Sequence, residues 1–148
     1  MQRVSRAAVR VDGRTTGRIE RGLLAFVGVE RGDVENDATY LADKTAELRV
    51  FPDEQGRMNR SVVEAGGAVL VVSQFTLAAS TRRGLRPSFS RAEDALIAAP
   101  LYERFGERLR ERGITVASGV FQAHMEVDLV NDGPVTLLLD PPPWRKTP

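Results

Sequence analysis

The stretch AVLVVSQFTL at residues 68–77 constrains the fold more than any other part of the sequence. It opens with an almost unbroken apolar run rich in β-branched residues, which predicts a strand buried on both faces of a sheet. The run turns polar at Ser73 and Gln74, where a central strand leaves the sheet and where functional sites are common. The plainer alternative is a core strand that simply runs into a loop.

The segments before this strand predict a hairpin, a second buried strand, an amphipathic helix and a short strand. They cover residues 4–11 with 15–20, then 22–30, 34–48 and 49–51. Asp12-Gly13 is a typical hairpin turn, and Asp33 is expected to be the N-cap of the helix. Pro52 is expected to end the short strand, and a loop should follow it.

The segments after the central strand predict a long polar loop, a second helix, an alternating strand and a last strand. They cover residues 78–91, 92–112, 120–130 and 135–139. Gly113 is expected to stop the second helix, and Pro100 should kink it or mark a fresh start. The predicted fold is therefore a single α/β domain over residues 1–140, in which two main helices cover a curved, largely antiparallel, barrel-like sheet. Residues 141–148 are rich in proline and predict a loose tail.

Composition excludes several kinds of chemistry. The 148 residues contain no cysteine, so a disulfide, a thiol nucleophile and a thiolate metal site are excluded. His124 is the only histidine, so a histidine-based metal cluster is excluded as well. No apolar run approaches the length of about 20 residues that a membrane span requires. We expect a cytoplasmic protein that needs no metal or cofactor and has no membrane partner.

The polar residues at the end of the central strand do not form a side-chain triad. Ser73 or Thr76 could attack an ester only if a base removed its proton, and His124 is the only imidazole. His124 falls on the polar face of its predicted strand, beside Glu126, where a solvated side chain is the usual outcome. Any catalysis should therefore rely on backbone N–H groups at Gln74 and Phe75, which lose ladder partners where the strand ends.

Two other segments carry possible functions. Gly133-Pro134, in the sequence NDGPVT at residues 131–136, allows a cis bond that would turn both flanking carbonyls to one side, although a simple hairpin turn is the plainer alternative. Residues 65–92 contain no acidic residue. The arginines of this stretch could bind phosphate groups, or they could simply form a solvated surface. The candidates for phosphate binding are Arg82, Arg83 and Arg86.

SQFTL at residues 73–77 and NDGPVT at residues 131–136 resemble the paired signatures of the D-aminoacyl-tRNA deacylases, also described as D-tyrosyl-tRNA(Tyr) deacylases. Further segments, among them GLLAFVGVERGD, GGAVLVVSQFTLAA and GVFQAHMEVDLVNDGPVT, extend the resemblance over nearly the whole chain. Only the tail after Asp140 falls outside it. Gln122 departs from the family pattern, since a small residue is usual at that position.

The resemblance implies an enzyme of chiral proofreading and translation quality control. It implies a homodimer that binds the acceptor end of aminoacylated tRNA through its arginines and hydrolyses D-aminoacyl and glycyl esters, including glycine mischarged on tRNA-Ala. In each site, a Gly-cisPro pair (Gly133-Pro134) from the partner subunit would exclude L-amino acids, and the substrate 2′-hydroxyl would help to activate water. The remaining site residues would act through their backbone and by shaping the pocket; they are Ser73, Gln74, Phe75, Thr76, Ala123 and Met125.

Two other classes of function remain open from the sequence. The chain could be a non-catalytic RNA-binding module that kept the fold, or a structural dimer without an RNA partner. The intact SQFTL and GPVT segments favour the enzyme.

Overall fold

The computed structural model describes residues 1–142 of the chain. Of the predicted tail, only Pro141 and Pro142 fall within the described residues. The strands are β1 Gln2–Val11, β2 Arg14–Ile19, β3 Gly22–Val27, β4 Phe51–Pro52, β5 Met58–Arg60, β6 Ala68–Ser73, β7 Val116–Ser118 and β8 Glu126–Thr136. The helices are α1 Glu35–Glu47, α2 Ala95–Glu111 and a 3-10 helix, Phe75–Ala78.

Six strands form one mixed sheet in the order β2-β1-β3-β6-β7, with β8 paired to β1. β1 runs antiparallel to β2, β3 and β8, whereas β3, β6 and β7 are parallel neighbours. The two remaining strands, β4 and β5, form a separate antiparallel pair. The predicted α/β class and barrel-like sheet are confirmed, and the parallel pairs at β6 make the sheet mixed.

The end strands β2 and β7 approach each other and nearly close the sheet. A Cβ atom on Gly17 of β2 would lie 2.4 Å from the carbonyl oxygen of Ser118 in β7. Only glycine permits so close an approach of two backbones. Gly17 therefore marks the seam at which the sheet comes close to forming a barrel.

The buried strand β6 separates two hydrophobic cores, as its apolar run predicts. Leu70 and Val72 point into the interior of the curved sheet, where they pack with residues of β1 and β3. Val69 and Val71 point to the opposite face and pack against α1 and α2. All four side chains are almost completely inaccessible to solvent, so both faces of β6 contribute to stability.

An ion-pair network joins α1 and α2 at the surface of the core that these helices cover. The carboxylate of Asp43 in α1 accepts hydrogen bonds from Arg108 at 2.9 and 3.1 Å and from Arg112 at 2.8 Å. Burial alone would raise the pKa of the Asp43 carboxyl, but the hydrogen bonds and charges of these two arginines outweigh it and lower that pKa. On the α2 side, hydrogen bonds from Arg104 and Arg108 lower the pKa of Glu111 to about 2.

The helix boundaries differ in detail from the prediction. Val34, not Asp33, is the N-cap of α1, because the Asp33 side chain accepts a hydrogen bond from the Glu30 N–H instead. α2 is continuous with Pro100 inside it, so the expected fresh start does not occur. Proline has no N–H, so Pro100 cannot donate the usual helical hydrogen bond to the carbonyl of Leu96. Leu96 is highly exposed, so water can reach it instead. Gly113 ends α2 with a positive φ of 79°, as predicted.

The strand assignments after residue 48 also need correction. β4 includes Pro52, and β5 falls in a segment that was expected to be a loop. Residues 121–125 form a turn and a coil segment, so the predicted strand at 120–130 begins only at Glu126. The NDGP segment lies inside β8 and does not turn a hairpin. Between the pairs Val4–Asn131 and Gln2–Thr136, β8 advances five residues while β1 advances two, which makes the segment a large bulge.

Candidate active site

The SQFTL segment changes from strand to 3-10 helix within two residues. β6 ends at Ser73, and the Gln74 N–H extends the pairing with β3 by donating to the Val27 carbonyl at 2.8 Å. The 3-10 helix begins at Phe75, and the Leu77 N–H donates to the Gln74 carbonyl at 3.2 Å. The motif is therefore rigid backbone rather than a loose loop.

This geometry shifts the predicted backbone donors by one residue. The Gln74 N–H is occupied, so it cannot stabilise an oxyanion as the sequence suggested. The first N–H groups of a helix have no partner within it, and those of Phe75 and Thr76 accordingly make no hydrogen bond to any residue within 1–142. Two successive free donors therefore lie at the start of the 3-10 helix.

A cavity of about 470 Å³ opens beside the end of β6. It brings together five of the predicted site residues, which are Ser73, Gln74, Phe75, Ala123 and Met125. Its inner walls are mainly apolar, with contributions from Val27, Val72 and Tyr102. Polar side chains line it as well, among them Glu93, Gln122 and His124. Such a cavity suits a small ligand with both apolar and polar groups.

The far wall of the cavity is tied directly to the strand that carries the motif. The carbonyl oxygen of Val71 accepts hydrogen bonds from the Tyr102 hydroxyl at 2.9 Å and from the Gly119 N–H at 3.0 Å. The Tyr102 ring packs against Phe121 with centroids 5.6 Å apart, and burial raises the pKa of the Tyr102 phenol. One carbonyl of β6 thus fixes α2 and the turn at residues 121–123 in relation to the motif.

Thr76 lies beside the cavity but does not line it. Its exposed hydroxyl accepts a short hydrogen bond from the side-chain amide of Gln74, which is not a base. No imidazole or carboxylate within residues 1–142 forms a hydrogen bond with the Thr76 hydroxyl. An unactivated hydroxyl is a poor nucleophile, so this arrangement does not favour Thr76 as the attacking group.

Gly133 and Pro134 lie on an exposed bulge, and their peptide bond is cis. Arg3 supports the bulge from below, donating to the carbonyls of Asp132 at 3.1 Å and Val50 at 2.6 Å. The Asn131 side chain accepts from the Val135 N–H at 3.1 Å, which closes the bulge. The backbone at Gly133 has a φ of 130°, which strains any L side chain, and a Cβ there would lie 2.9 Å from the Val135 Cγ2 and 3.0 Å from the Arg3 guanidinium, so the position favours glycine.

The cavity and the Gly133-Pro134 bulge do not meet within one subunit. Neither residue of the pair lines the cavity, whereas Val127, at the other end of β8, does. The extended strand between Val127 and Asn131 spans about 13 Å. A single subunit therefore leaves the sequence-predicted site incomplete.

The arginine-rich loop is pinned at its base and exposed along its length. Ser80 and Ser88 exchange backbone hydrogen bonds of 2.8 and 2.9 Å, and residues 81–87 between them are all exposed. No ion pair to a residue within 1–142 involves the three arginines that were predicted to bind tRNA, which are Arg82, Arg83 and Arg86. Phe89 packs edge-on against Phe75 at 5.0 Å, so the loop is held next to the motif.

Large apolar side chains are exposed around the same motif. Phe75 is 60% exposed, Leu77 49% and Phe89 39%, and Leu85 extends fully into solvent at the tip of the arginine loop. A cluster of this kind is unusual on the surface of a monomer and is typical of a surface that another molecule covers.

A second cavity, of about 450 Å³, lies between α1, α2 and the residues after β8. None of the predicted site residues lines it. Within residues 1–142, no group of three or more His, Cys, Asp or Glu side chains is placed to hold a metal ion. In the same range, no helix has the length and apolar character needed to cross a membrane.

Sequence reasoning missed three residues that support the site. Arg3 carries no distinguishing pattern in the sequence, because its contacts with residues 50 and 132 depend on the tertiary fold. Tyr102 had an available signal, because a tyrosine on the buried face of a helix needs a hydroxyl partner. Gly119 precedes the turn at 121–123 and carried no distinguishing pattern.

A nearly closed mixed sheet covered by two helices, with a cavity beside the end of its central strand, defines a small single-domain α/β protein. The solved structure titled "c-Myc DNA Unwinding Element Binding Protein" has this fold, with a TM-score of 0.89 and 38% sequence identity over 95% of this chain and 96% of that one. The chain belongs to the D-Tyr-tRNA(Tyr) deacylase family, whose sequence model matches residues 1–140.

Curated relatives support the same assignment. The D-aminoacyl-tRNA deacylase of Symbiobacterium thermophilum is 60% identical over 140 residues, which cover 95% of this chain and 93% of that protein. The D-aminoacyl-tRNA deacylase of Roseiflexus castenholzii is 58% identical over 146 residues, covering 99% and 93%. The family predicted from the two signatures is confirmed, and with it the enzyme class, a hydrolase of ester bonds.

Proposed function

We propose that the protein hydrolyses the ester between a D-amino acid and the terminal adenosine of tRNA in the cytoplasm. Water adds to the ester carbonyl carbon, the bond to the ribose oxygen breaks, and the leaving oxygen takes up a proton. The products are the free D-amino acid and free tRNA. Glycyl-tRNA, including glycine mischarged on tRNA-Ala, is accepted as well, because glycine has no side chain for the site to reject.

The observation that carries this proposal is the pair of free N–H groups at Phe75 and Thr76, beside a cavity in a member of this family. Negative charge develops on the carbonyl oxygen as water adds, and two aligned backbone donors can stabilise it. One preorganised donor of this kind is worth roughly 3–4 kcal/mol. Since Thr76 lacks a base, the 2′-hydroxyl of the substrate helps to activate the water.

Chiral selection comes from the Gly133-Pro134 pair of a partner subunit. The pair lies on an exposed bulge held by Arg3, and it is too far along β8 to reach the cavity of its own subunit. The exposed apolar cluster around Phe75 supports a homodimer in which each subunit covers the site of the other. The carbonyls of the pair then stand where an L side chain would project, so the selection works by exclusion.

The arginine loop binds the acceptor end of the tRNA. Its guanidinium groups are exposed, and Phe89 holds the loop against the motif. Phosphate contacts position the ester without reading sequence, which suits an enzyme that acts on many tRNAs.

Hydrolysis assays with purified protein test the activity. We expect turnover of D-tyrosyl-tRNA and glycyl-tRNA and little turnover of L-tyrosyl-tRNA. Salt-dependent tRNA binding without turnover would instead identify an RNA-binding module. A protein that neither binds nor hydrolyses tRNA would be a structural dimer.

Mixed dimers test whether the selecting pair acts across the interface. Ala123→Trp fills the cavity of one subunit, while Gly133→Ala disturbs the pair. In a dimer of one Gly133→Ala subunit with one Ala123→Trp subunit, the working cavity faces an intact pair and should still reject L substrates. In the matched dimer of a double variant with a wild-type subunit, the working cavity faces the altered pair and should accept them. The reverse result would place the pair in the site of its own subunit.

A further inference from the structure

Two non-glycine residues within 1–142 have a left-handed backbone, Asp12 with a φ of 50° and Gln122 with a φ of 64°. Asp12 is explained by the hairpin turn between β1 and β2, which requires this conformation and tolerates aspartate. Gln122 is the third residue of the turn closed by the hydrogen bond from the Ala123 N–H to the Val120 carbonyl, a position at which a type II turn needs a positive φ and glycine or asparagine is usual, so a glutamine there is unexpected. Side chains in this conformation reduce stability and persist mainly where function requires them.

Gln122 lies where the cavity opens, in a turn that is firmly anchored on both sides. Phe121 packs on Tyr102, and the Ala123 N–H donates to the Val120 carbonyl at 3.2 Å. Beyond the turn, Met125 packs into the core inside the sheet. The backbone conformation of Gln122 is therefore imposed by fixed neighbours, while its own side chain is exposed.

The Gln122 amide is available to a ligand. It makes no hydrogen bond to another residue within 1–142, although it lines the same cavity as Ser73 and Gln74. An amide offers two donors and one acceptor, which matches the mixed polar edge of a planar heterocycle. The apolar inner walls suit the face of such a ring, and the amide at the opening suits its edge.

We propose that Gln122 is a specificity-determining residue that hydrogen-bonds the terminal nucleoside of the substrate. This inference rests on the proposed function, since it assumes an aminoacyl ester of a nucleoside in the cavity. The contact forms in the ground state and persists in the transition state, so it affects substrate binding and not the chemical step.

Gln122→Gly separates this role from a structural one. The variant loses one hydrogen bond to the substrate, so KM should rise about 5-fold while kcat stays unchanged. It also relieves the left-handed backbone, so Tm should rise by about 3 °C. A residue retained only for packing would give the opposite stability change. Asp12→Gly is the matched control, because it relieves the same conformation away from the cavity and should leave KM unchanged.

Comparing substrates identifies the group that Gln122 contacts. Equal KM effects on D-tyrosyl-tRNA and glycyl-tRNA support a contact with the nucleoside, whereas an effect confined to D-tyrosyl-tRNA would overturn it in favour of the amino-acid side chain. An unchanged KM, or a lower Tm, in Gln122→Gly would overturn the proposal while leaving the proposed function intact. Failure of the wild-type protein to hydrolyse either substrate would overturn both.

Discussion

Replacement of Thr76 by alanine distinguishes backbone catalysis from a threonine nucleophile. The hydroxyl is exposed, and its hydrogen-bond partner is the Gln74 amide. The Phe75 and Thr76 N–H groups, which we propose as the oxyanion donors, remain in the alanine variant. Thr76→Ala therefore removes one solvent-exposed hydrogen bond and leaves the proposed catalytic groups in place.

The two mechanisms predict very different losses. One exposed hydrogen bond contributes about 0.5–1.5 kcal/mol, which corresponds to a loss of about 2- to 12-fold if all of it acts in the transition state. Removal of a true nucleophile costs on the order of 10⁴-fold or more. The two ranges are separated by about three orders of magnitude, so the assay does not depend on fine precision.

The measurement is single-turnover hydrolysis of D-tyrosyl-tRNA with enzyme in excess, which isolates the chemical step from product release. Thr76→Ser is the matched control, and the dimeric state and circular dichroism of both variants should equal those of the wild type. A 10⁴-fold loss in folded, dimeric Thr76→Ala, with activity kept in Thr76→Ser, would refute backbone catalysis. Substrate that lacks the terminal 2′-hydroxyl should react much more slowly with all three proteins.

Two further predictions concern the arginine loop and the helix pair. A variant with alanine at Arg82, Arg83 and Arg86 should bind all tRNAs more weakly, and the slope of log K against log salt should fall by roughly one per lost phosphate contact. A control variant with alanine at Arg14, Arg18 and Arg57 should show no such change. An unchanged slope in the loop variant would mean that the loop is only a solvated surface. Asp43→Asn should lose about 1–2 kcal/mol of unfolding free energy at pH 7, measured by urea denaturation, whereas Glu20→Gln in an exposed pair should lose little. Because the folded-state pKa of Asp43 is lowered, its contribution is complete above the unfolded value of about 4 and should disappear as the pH falls through the lower folded value. A deficit in Asp43→Asn that does not shrink as the pH is lowered below about 4 would contradict this account.

Local patterns predicted the centre of the fold because the residues there are governed by burial. The apolar run at 69–72 has to lie between two cores, and Asp12-Gly13 is one of few pairs that suit a two-residue hairpin. The SQFTL motif could be located for the same reason, since a polar end to a buried strand is a local signal, whereas NDGPVT was located by its Gly-Pro pair and by the family resemblance.

The errors occurred where distant contacts override a local pattern. Residues 121–129 alternate between apolar and polar, as in a strand. However, Phe121 packs against the core beneath the two helices, whereas Met125 packs against the core inside the curved sheet. The turn at residues 121–123 lets the chain reach both. The sequence left a hairpin turn open at Gly133-Pro134, because the residue that supports the bulge, Arg3, is about 130 residues away and contacts it at Asp132.

The pairing of β1 with β8 affects how the protein is made. β1 is among the first segments to leave the ribosome, yet β8, which covers one of its edges, follows more than a hundred residues later. At a synthesis rate of about 5–20 residues per second, that edge stays unpaired for several seconds. An uncovered strand edge can recruit other chains, and charged side chains on the edge oppose such pairing; Arg6 and Arg10 supply such charges on β1. The same delay means that Arg3 acquires the segment it supports, at Asp132, only when synthesis is nearly complete, so the bulge at Gly133-Pro134 is among the last parts of the fold to form.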